Sequence, residues 1–122
     1  MKFLVVDDSR TMRRIMKSAL TEIGYPESVE AADGVEALNR LNSESFDFVI
    51  TDWNMPNMNG LELTKTIRSH PAFGELPILM VTTRGMKDDV FAAMKARVNN
   101  YVVKPFTPDL LRDKINMILK IN

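Results

Sequence analysis

Three aspartates, two threonines and a lysine stand where short apolar runs give out. Asp7 and Asp8 follow Phe3-Leu4-Val5-Val6, and Asp52 closely follows Phe48-Val49-Ile50. Thr82 and Thr83 follow Ile78-Leu79-Met80-Val81, and Lys104 with Pro105 follows Tyr101-Val102-Val103. If these runs are parallel strands, their ends deliver three carboxylates, hydroxyls and one ammonium to one crevice. Carboxylates so close repel one another and rise in pKa unless a cation intervenes. Lys104 supplies one positive charge. The remainder calls for a hard, oxygen-seeking ion, Mg²⁺ first and Ca²⁺, which takes more oxygen ligands, second. No His or Cys cluster favours zinc. A carboxylate nucleophile, Mg²⁺, a lysine and a threonine hydroxyl suit phosphoryl transfer to an aspartate, which forms an acyl phosphate by in-line attack. Metal and lysine would neutralise the equatorial oxygens, and the hydroxyl would hydrogen-bond the phosphoryl group. Singly, each residue has a plainer reading: Asp8 as a helix cap, Thr82 as a partner for backbone groups, Lys104 as a solvated strand end. Their joint placement favours the site.

The elements that must carry these residues follow from the pattern between them. Runs rich in β-branched residues and bounded by polar ones read as strands buried on both faces, with a weaker run around Val29. The intervening stretches read as helices. Ser9 caps the first, Met12, Ile15, Met16, Ala19, Leu20 and Ile23 repeat at three and four, and Gly24 closes it. A second follows Gly34, with Val35, Leu38 and Leu41 on one face. A third starts near Gly60 with Leu61, Leu63 and Ile67. A fourth carries Val90, Ala93 and Met94. A fifth opens with Thr107 as cap and Pro108 at its first position. Five β-α units imply a single-domain α/β fold over residues 1–122: a doubly wound, five-stranded parallel sheet with five helices.

Composition narrows the function classes. The chain has 122 residues, 45% hydrophobic and 26% charged, with 16 basic and 16 acidic side chains and no Cys. A nucleic-acid binder usually carries a basic excess, so none is expected as a partner. The densest basic cluster, Arg10, Arg13, Arg14 and Lys17, reads as a solvated helix face. No apolar run approaches the length of a membrane span and the N-terminus lacks a signal-peptide pattern, so a cytoplasmic protein without membrane insertion is expected. The five glycines, at 24, 34, 60, 74 and 85, form no phosphate loop, which argues against a P-loop or Rossmann nucleotide site. The nine methionines read mostly as packing on helical core faces, with Met55, Met58 and Met86 exposed near the site. His70 reads as a solvated loop residue.

Over essentially its whole length the chain resembles the receiver domains of two-component response regulators, and within them the single-domain chemotaxis type. The resemblance rests on FLVVDDS from Phe3, TMRRI from Thr11, ADGVEAL from Ala32, DWNMPNMNGLEL from Asp52 and YVVKPFT from Tyr101. It implies the flavodoxin-like strand order 2-1-3-4-5. It implies Asp52 as phosphoacceptor, an acidic pocket of Asp7, Asp8 and Asp52, and Mg²⁺ held by Asp8, Asp52 and the backbone carbonyl of Asn54. It implies that Thr82 and Lys104 contact the phosphoryl group, that Tyr101 is a rotameric switch, and that the Lys104–Pro105 bond is cis. The fourth helix, fifth strand and fifth helix would form the output face, with Tyr101, Val103 and Lys114 on it.

The implied partners are a histidine kinase as phosphodonor, the flagellar motor switch protein and a phosphatase, with the chain a monomer that catalyses only its own phosphorylation and dephosphorylation. A receiver of a phosphorelay or of pilus motility is the alternative within the fold. An aspartyl-phosphate phosphohydrolase is the alternative outside it, disfavoured because its nucleophile belongs in an Asp-x-Asp on the first strand. Four positions depart from the family pattern. Arg84 replaces an acidic or neutral residue and Thr83 a frequent Ala; with Asn54 they are candidates for setting the phosphate lifetime. Arg97 replaces a frequent Gly, and Asn59 a frequent Asp.

Overall fold

In a computed structural model, which describes residues 1–121, the five β-α units are all present. The strands are β1 (Phe3–Val6), β2 (Ser28–Ala31), β3 (Phe48–Thr51), β4 (Ile78–Thr82) and β5 (Asn100–Val103). The helices are α1 (Arg10–Glu22), α2 (Gly34–Ser43), α3 (Gly60–Ser69), α4 (Lys87–Lys95) and α5 (Pro108–Leu119). All strand pairs are parallel and the order is β2-β1-β3-β4-β5, the flavodoxin-like order expected.

Successive strand residues face opposite sides of the sheet, so the apolar runs supply two cores at once. Phe3, Val5, Ile50, Leu79, Val81 and Val102 pack with Met16 and Leu20 of α1 and Leu111 and Ile115 of α5. Leu4, Val6, Val49, Met80 and Tyr101 pack with Ala37 and Leu41 of α2, Leu63 and Ile67 of α3 and Ala93 of α4. Burial of each such large side chain contributes roughly 1.5–3 kcal/mol. The inner strands β1, β3 and β4 are buried throughout, whereas the edge strands β2 and β5 are not. The expectation of strands covered on both faces therefore holds for the centre of the sheet only.

The helix boundaries obey side-chain capping. The Ser9 hydroxyl accepts from Met12 N at 3.1 Å, Asp33 from Glu36 N at 2.8 Å and Thr107 from Leu110 N at 3.1 Å. Asn59 and Glu62 form a reciprocal capping box at α3. At α4, Met86 offers no cap, and Asp88 and Asp89 in the first turn complement the helix dipole instead.

Several helix assignments shift in detail. Ile15, Val35 and Met94, expected on core faces, are exposed, and Ala37 takes the inward position in α2. The methionines are partly corrected: Met16 packs in the core and Met86 is exposed as expected, but Met80 is buried on a strand, Met55 and Met58 are partly buried and pack against the core, and Met94 and Met117 are exposed. His70 is not fully solvated. It ends α3 and stacks on Phe73 with ring centroids 3.8 Å apart. Among the described residues no helix is long and apolar enough to cross a membrane.

Arg97 settles the question left by its family position. Its φ is +76°, and the amides of Arg97 and Val98 bond the carbonyls of Met94 and Ala93, the pattern of a Schellman turn. The left-handed conformation costs a residue with a Cβ about 1 kcal/mol. Arg97→Gly is therefore expected to stabilise the fold by about 1 kcal/mol, a rise of about 4 °C in melting temperature. An unchanged or lower value in thermal denaturation would show that the Arg97 side chain offsets its own strain.

Candidate functional site

β1 lies between β2 and β3, so the strand order reverses at its carboxyl end, and a crevice opens there. The backbone carries the acids into it. Asp7 N donates to Ala31 O at 3.1 Å, extending β1 by one residue, and Asp52 N donates to Val6 O at 2.9 Å, extending β3. From β5, whose end is tied by Lys104 N to Thr82 O at 2.8 Å, Lys104 reaches across both. Its Nζ lies 2.9 Å from Asp7 Oδ2 and 3.1 Å from Asp52 Oδ2. The bond from Lys104 to Pro105 is cis.

The remaining oxygens of the pair are held as well. Asp7 Oδ1 accepts from Ser9 N at 2.9 Å, and Asp52 Oδ1 from Trp53 N at 2.6 Å. Arg13 of α1 donates to the Asp7 carbonyl at 2.7 Å. Asp52 is thus fixed in rotation, with one oxygen on an ammonium and the other on an amide. Asp8 is exposed at the rim, and one carboxylate oxygen from each of Asp7, Asp8 and Asp52 lies within 4.8 Å of the others.

Electrostatics set the appetite of this cluster. Burial pushes the Asp7 carboxyl above its ordinary value, and the Ser9 amide and Lys104 only partly offset it. Burial likewise works against the Lys104 ammonium, but its bonds to Asp7 and Asp52 prevail and hold it above the ordinary lysine value. Three carboxylates face one ammonium, and every offered atom is a hard oxygen. The residues present therefore fit a small divalent cation.

The other expected residues are placed less uniformly. Thr82 is fully buried, and its hydroxyl oxygen accepts weakly from Arg84 N at 3.4 Å. Thr83 and Asn54 are exposed. Tyr101 points inward, 8% exposed, with its hydroxyl donating to the Arg84 carbonyl at 2.5 Å. Burial, reinforced by the Asp89 charge, raises its phenol above the ordinary value. Val103 is exposed on the outer side of β5, and Lys114 bonds Asn100 Oδ1 at 3.3 Å.

Arg84 makes contacts that its position in the chain does not announce. Its guanidinium lies 4.3 Å over the centre of the Trp53 ring, donates to Asn54 Oδ1 at 3.2 Å and pairs with Asp89 Oδ1 at 2.9 Å. It ties the loop after Asp52 to the first turn of α4. Asp89 and the buried Trp53 were missed as members of this cluster. Their only sequence signals were an acid in a first turn and an aromatic next to a strand-end aspartate.

Gly60 is the other residue whose role was underread. A Cβ there would come within 1.9 Å of the Asp52 carbonyl oxygen, and Gly60 N donates to Trp53 O at 2.8 Å. Only a glycine lets α3 begin so close to the strand end that carries Asp52.

Comparison with known proteins agrees with this geometry. Residues 3–116 match the response regulator receiver domain family. The chain is 54% identical to chemotaxis protein CheY1 of Helicobacter pylori, over all of this chain and 99% of that protein. It is also 54% identical to a chemotaxis protein CheY homologue of Campylobacter jejuni, over 98% of this chain and 92% of that one. The solved structure of chemotaxis protein CheY4 of Vibrio cholerae superposes with a TM-score of 0.88 at 36% identity, covering 96% of this chain and 97% of that one. A strand order that reverses at β1, a clamped strand-end aspartate and a match over residues 3–116 thus converge, and the chain belongs to the response regulator receiver domain family.

Proposed function

We propose that this chain is a cytoplasmic, single-domain chemotaxis response regulator that accepts a phosphoryl group on Asp52 and signals by docking to the flagellar motor switch. The observation that carries it is the clamped Asp52 carboxylate, held beside Lys104 and Asp7 at the point of strand reversal. The chemotaxis assignment is supported by the relatives, whose names place them in that pathway.

In this reading the kinase's phosphohistidine is the donor. A carboxylate oxygen of Asp52 forms the new P–O bond as the P–N bond to the histidine breaks, and the leaving imidazole keeps the electron pair and takes a proton. Lys104 meets the charge on the equatorial oxygens. Asp7, Asp8 and Asp52, with the Asn54 carbonyl, would hold Mg²⁺, which supplies further charge neutralisation when bound. The Thr82 hydroxyl is buried close to the strand end and moves toward the acyl phosphate as a donor. Tyr101 already occupies its inward seat on the Arg84 carbonyl, so that displacement would hold the ring there and fix the outer surface of β5 and α4 in the inward arrangement.

That surface suits docking. Phe91 and Met94 on α4 are 68% and 45% exposed, and Val103 on β5 is 45% exposed, an apolar patch on the proposed output face. The test adds Mg²⁺ and a small phosphodonor, follows intact mass, and measures binding to a motor-switch fragment. One phosphoryl group gained on Asp52 and tighter binding afterwards are expected. Stoichiometric phosphorylation without any change in binding would leave a receiver of another pathway.

Arg84 is proposed to lengthen the life of the acyl phosphate. Anchored on Trp53, Asn54 and Asp89, it closes the side of the crevice from which water would attack. Loss of a barrier contribution of about 1 kcal/mol corresponds to roughly fivefold, so Arg84→Ala is expected to speed autodephosphorylation by about that factor. Decay of pre-phosphorylated protein after removal of the donor reads this directly, and an unchanged rate would exclude the role.

A further inference from the structure

On the side of the molecule between α3 and α4, a groove of about 490 Å³ is lined by Lys65, Arg68, Lys95 and Arg97, with Leu61 and Ala92 among its apolar residues. No acidic side chain lines it. In a chain with equal numbers of acids and bases, this is a local excess that the composition does not require.

Three of these cations carry no ion pair: among the described residues Lys65, Lys95 and Arg97 enter no salt bridge, as is also true of Arg10, Arg14, Lys87, Lys114 and Lys120 elsewhere on the surface. Arg68 is spent structurally. Its guanidinium donates to the carbonyls of Gly74, Leu76 and Arg97 and to Asn99 Oδ1, which fixes it in the wall. Burial and then the charge of Arg97 depress its basicity, and the only acid opposing them is Glu75 on the following loop. Like charges are thus brought together, with Glu75 acting against them. The fourth cation, Arg97, stands at φ +76°, a conformation a glycine would adopt without strain. Strain retained at a groove rim, together with unpaired charge, points to a ligand.

The geometry points to this groove as a binding site for a condensed phosphate, the di- or triphosphate group that free polyphosphate and nucleotides share. The volume lies in the range of small-ligand sites rather than of extended protein contacts. Lys65, Lys95 and Arg97, from α3, α4 and the turn after it, would contact the phosphates with Arg68 fixed in the wall behind them, and Leu61 and Ala92 offer an apolar surface to a base where one is attached. The site shares no residue with the Asp7, Asp8, Asp52 and Lys104 crevice, so it stands whether or not Asp52 is the phosphoacceptor.

The test titrates isotope-labelled full-length protein with inorganic tripolyphosphate and, separately, with ATP, both in EDTA so that no metal enters the acidic crevice. Saturable amide shifts confined to residues 61–69 and 92–98 are expected, weakening as salt rises. Tighter binding of ATP than of tripolyphosphate would assign the apolar floor to a base, and equal binding would assign the phosphates alone. The double variant Lys95→Gln with Arg97→Gly should lose at least tenfold in affinity while melting no lower than wild type. Lys65→Gln with Lys95→Gln, both exposed, repeats the loss without touching the strained turn. Absence of saturation, equal shifts over the Arg10–Lys17 face, unchanged affinity in both variants, or a hexaglutamate peptide binding as tightly as tripolyphosphate would each overturn the assignment.

Discussion

Asp52→Asn is expected to take up no phosphoryl group from a small-molecule donor under conditions in which the wild-type chain gains one. The substitution keeps the shape of the side chain and removes only its nucleophilic charge. An asparagine oxygen can still accept from Trp53 N or from Lys104, the contacts that position the carboxylate at 2.6 Å and 3.1 Å. One source of repulsion among three clustered acids disappears, so the variant should melt at or above the wild-type temperature. The loss is then chemical and all-or-none, not a consequence of unfolding. Intact mass before and after incubation with Mg²⁺ and donor decides it, with thermal denaturation as the control. A variant that gains the same mass would move the acceptor to another residue and remove the basis of the proposed function.

The second large effect concerns a residue without a side chain. Gly60→Ala should cost about 3 kcal/mol and lower the melting temperature by about 10 °C. The added Cβ would meet the Asp52 carbonyl oxygen at 1.9 Å, a backbone atom rather than a yielding side-chain tip. That carbonyl cannot retreat freely, because the Thr51 hydroxyl donates to it at 2.8 Å. On the other side, Thr64 bonds the Gly60 carbonyl at 2.8 Å and fixes the first turn of α3. Relief must therefore displace the strand end that presents Asp52, and phosphorylation should slow along with the loss of stability. Loss of stability with an unchanged phosphorylation rate would show that the strain is absorbed by α3 alone.

How much of this was readable beforehand depended on whether strand topology alone fixes a contact or a rotamer must be known as well. The strands were readable because β-branched runs buried on both sides leave an unbroken apolar signature, as in Phe48–Thr51 and Ile78–Thr82. The edge strand Ser28–Ala31, half covered, gave only the weak run around Val29 for the same reason. The crevice was readable because parallel strands all end on one side, which brings Asp7, Asp52 and Lys104 together whatever their separation in sequence. Helix faces were less so: Val35 and Met94 are apolar yet exposed, and period alone does not say which apolar residue of a short helix faces the sheet. Least readable were contacts that need both a rotamer and a partner from another loop. Arg84 was noticed as unusual, but that it would lie over Trp53 and pair with Asp89 follows from three dimensions only. Gly60 appeared as a helix start, and its 1.9 Å clearance problem belongs to the packing of α3 on β3.

The hydrogen bond from Tyr101 to residue 84 ends on a carbonyl oxygen, not on a side chain. A main-chain acceptor survives every substitution at its own position. Position 84 therefore carries two inheritances that can be altered independently: its backbone seats the tyrosine, while its side chain reaches Trp53, Asn54 and Asp89. Under the proposed role of Arg84, exchanging that one side chain would retune the tempo of the signal while the carbonyl that seats the aromatic ring stays in place.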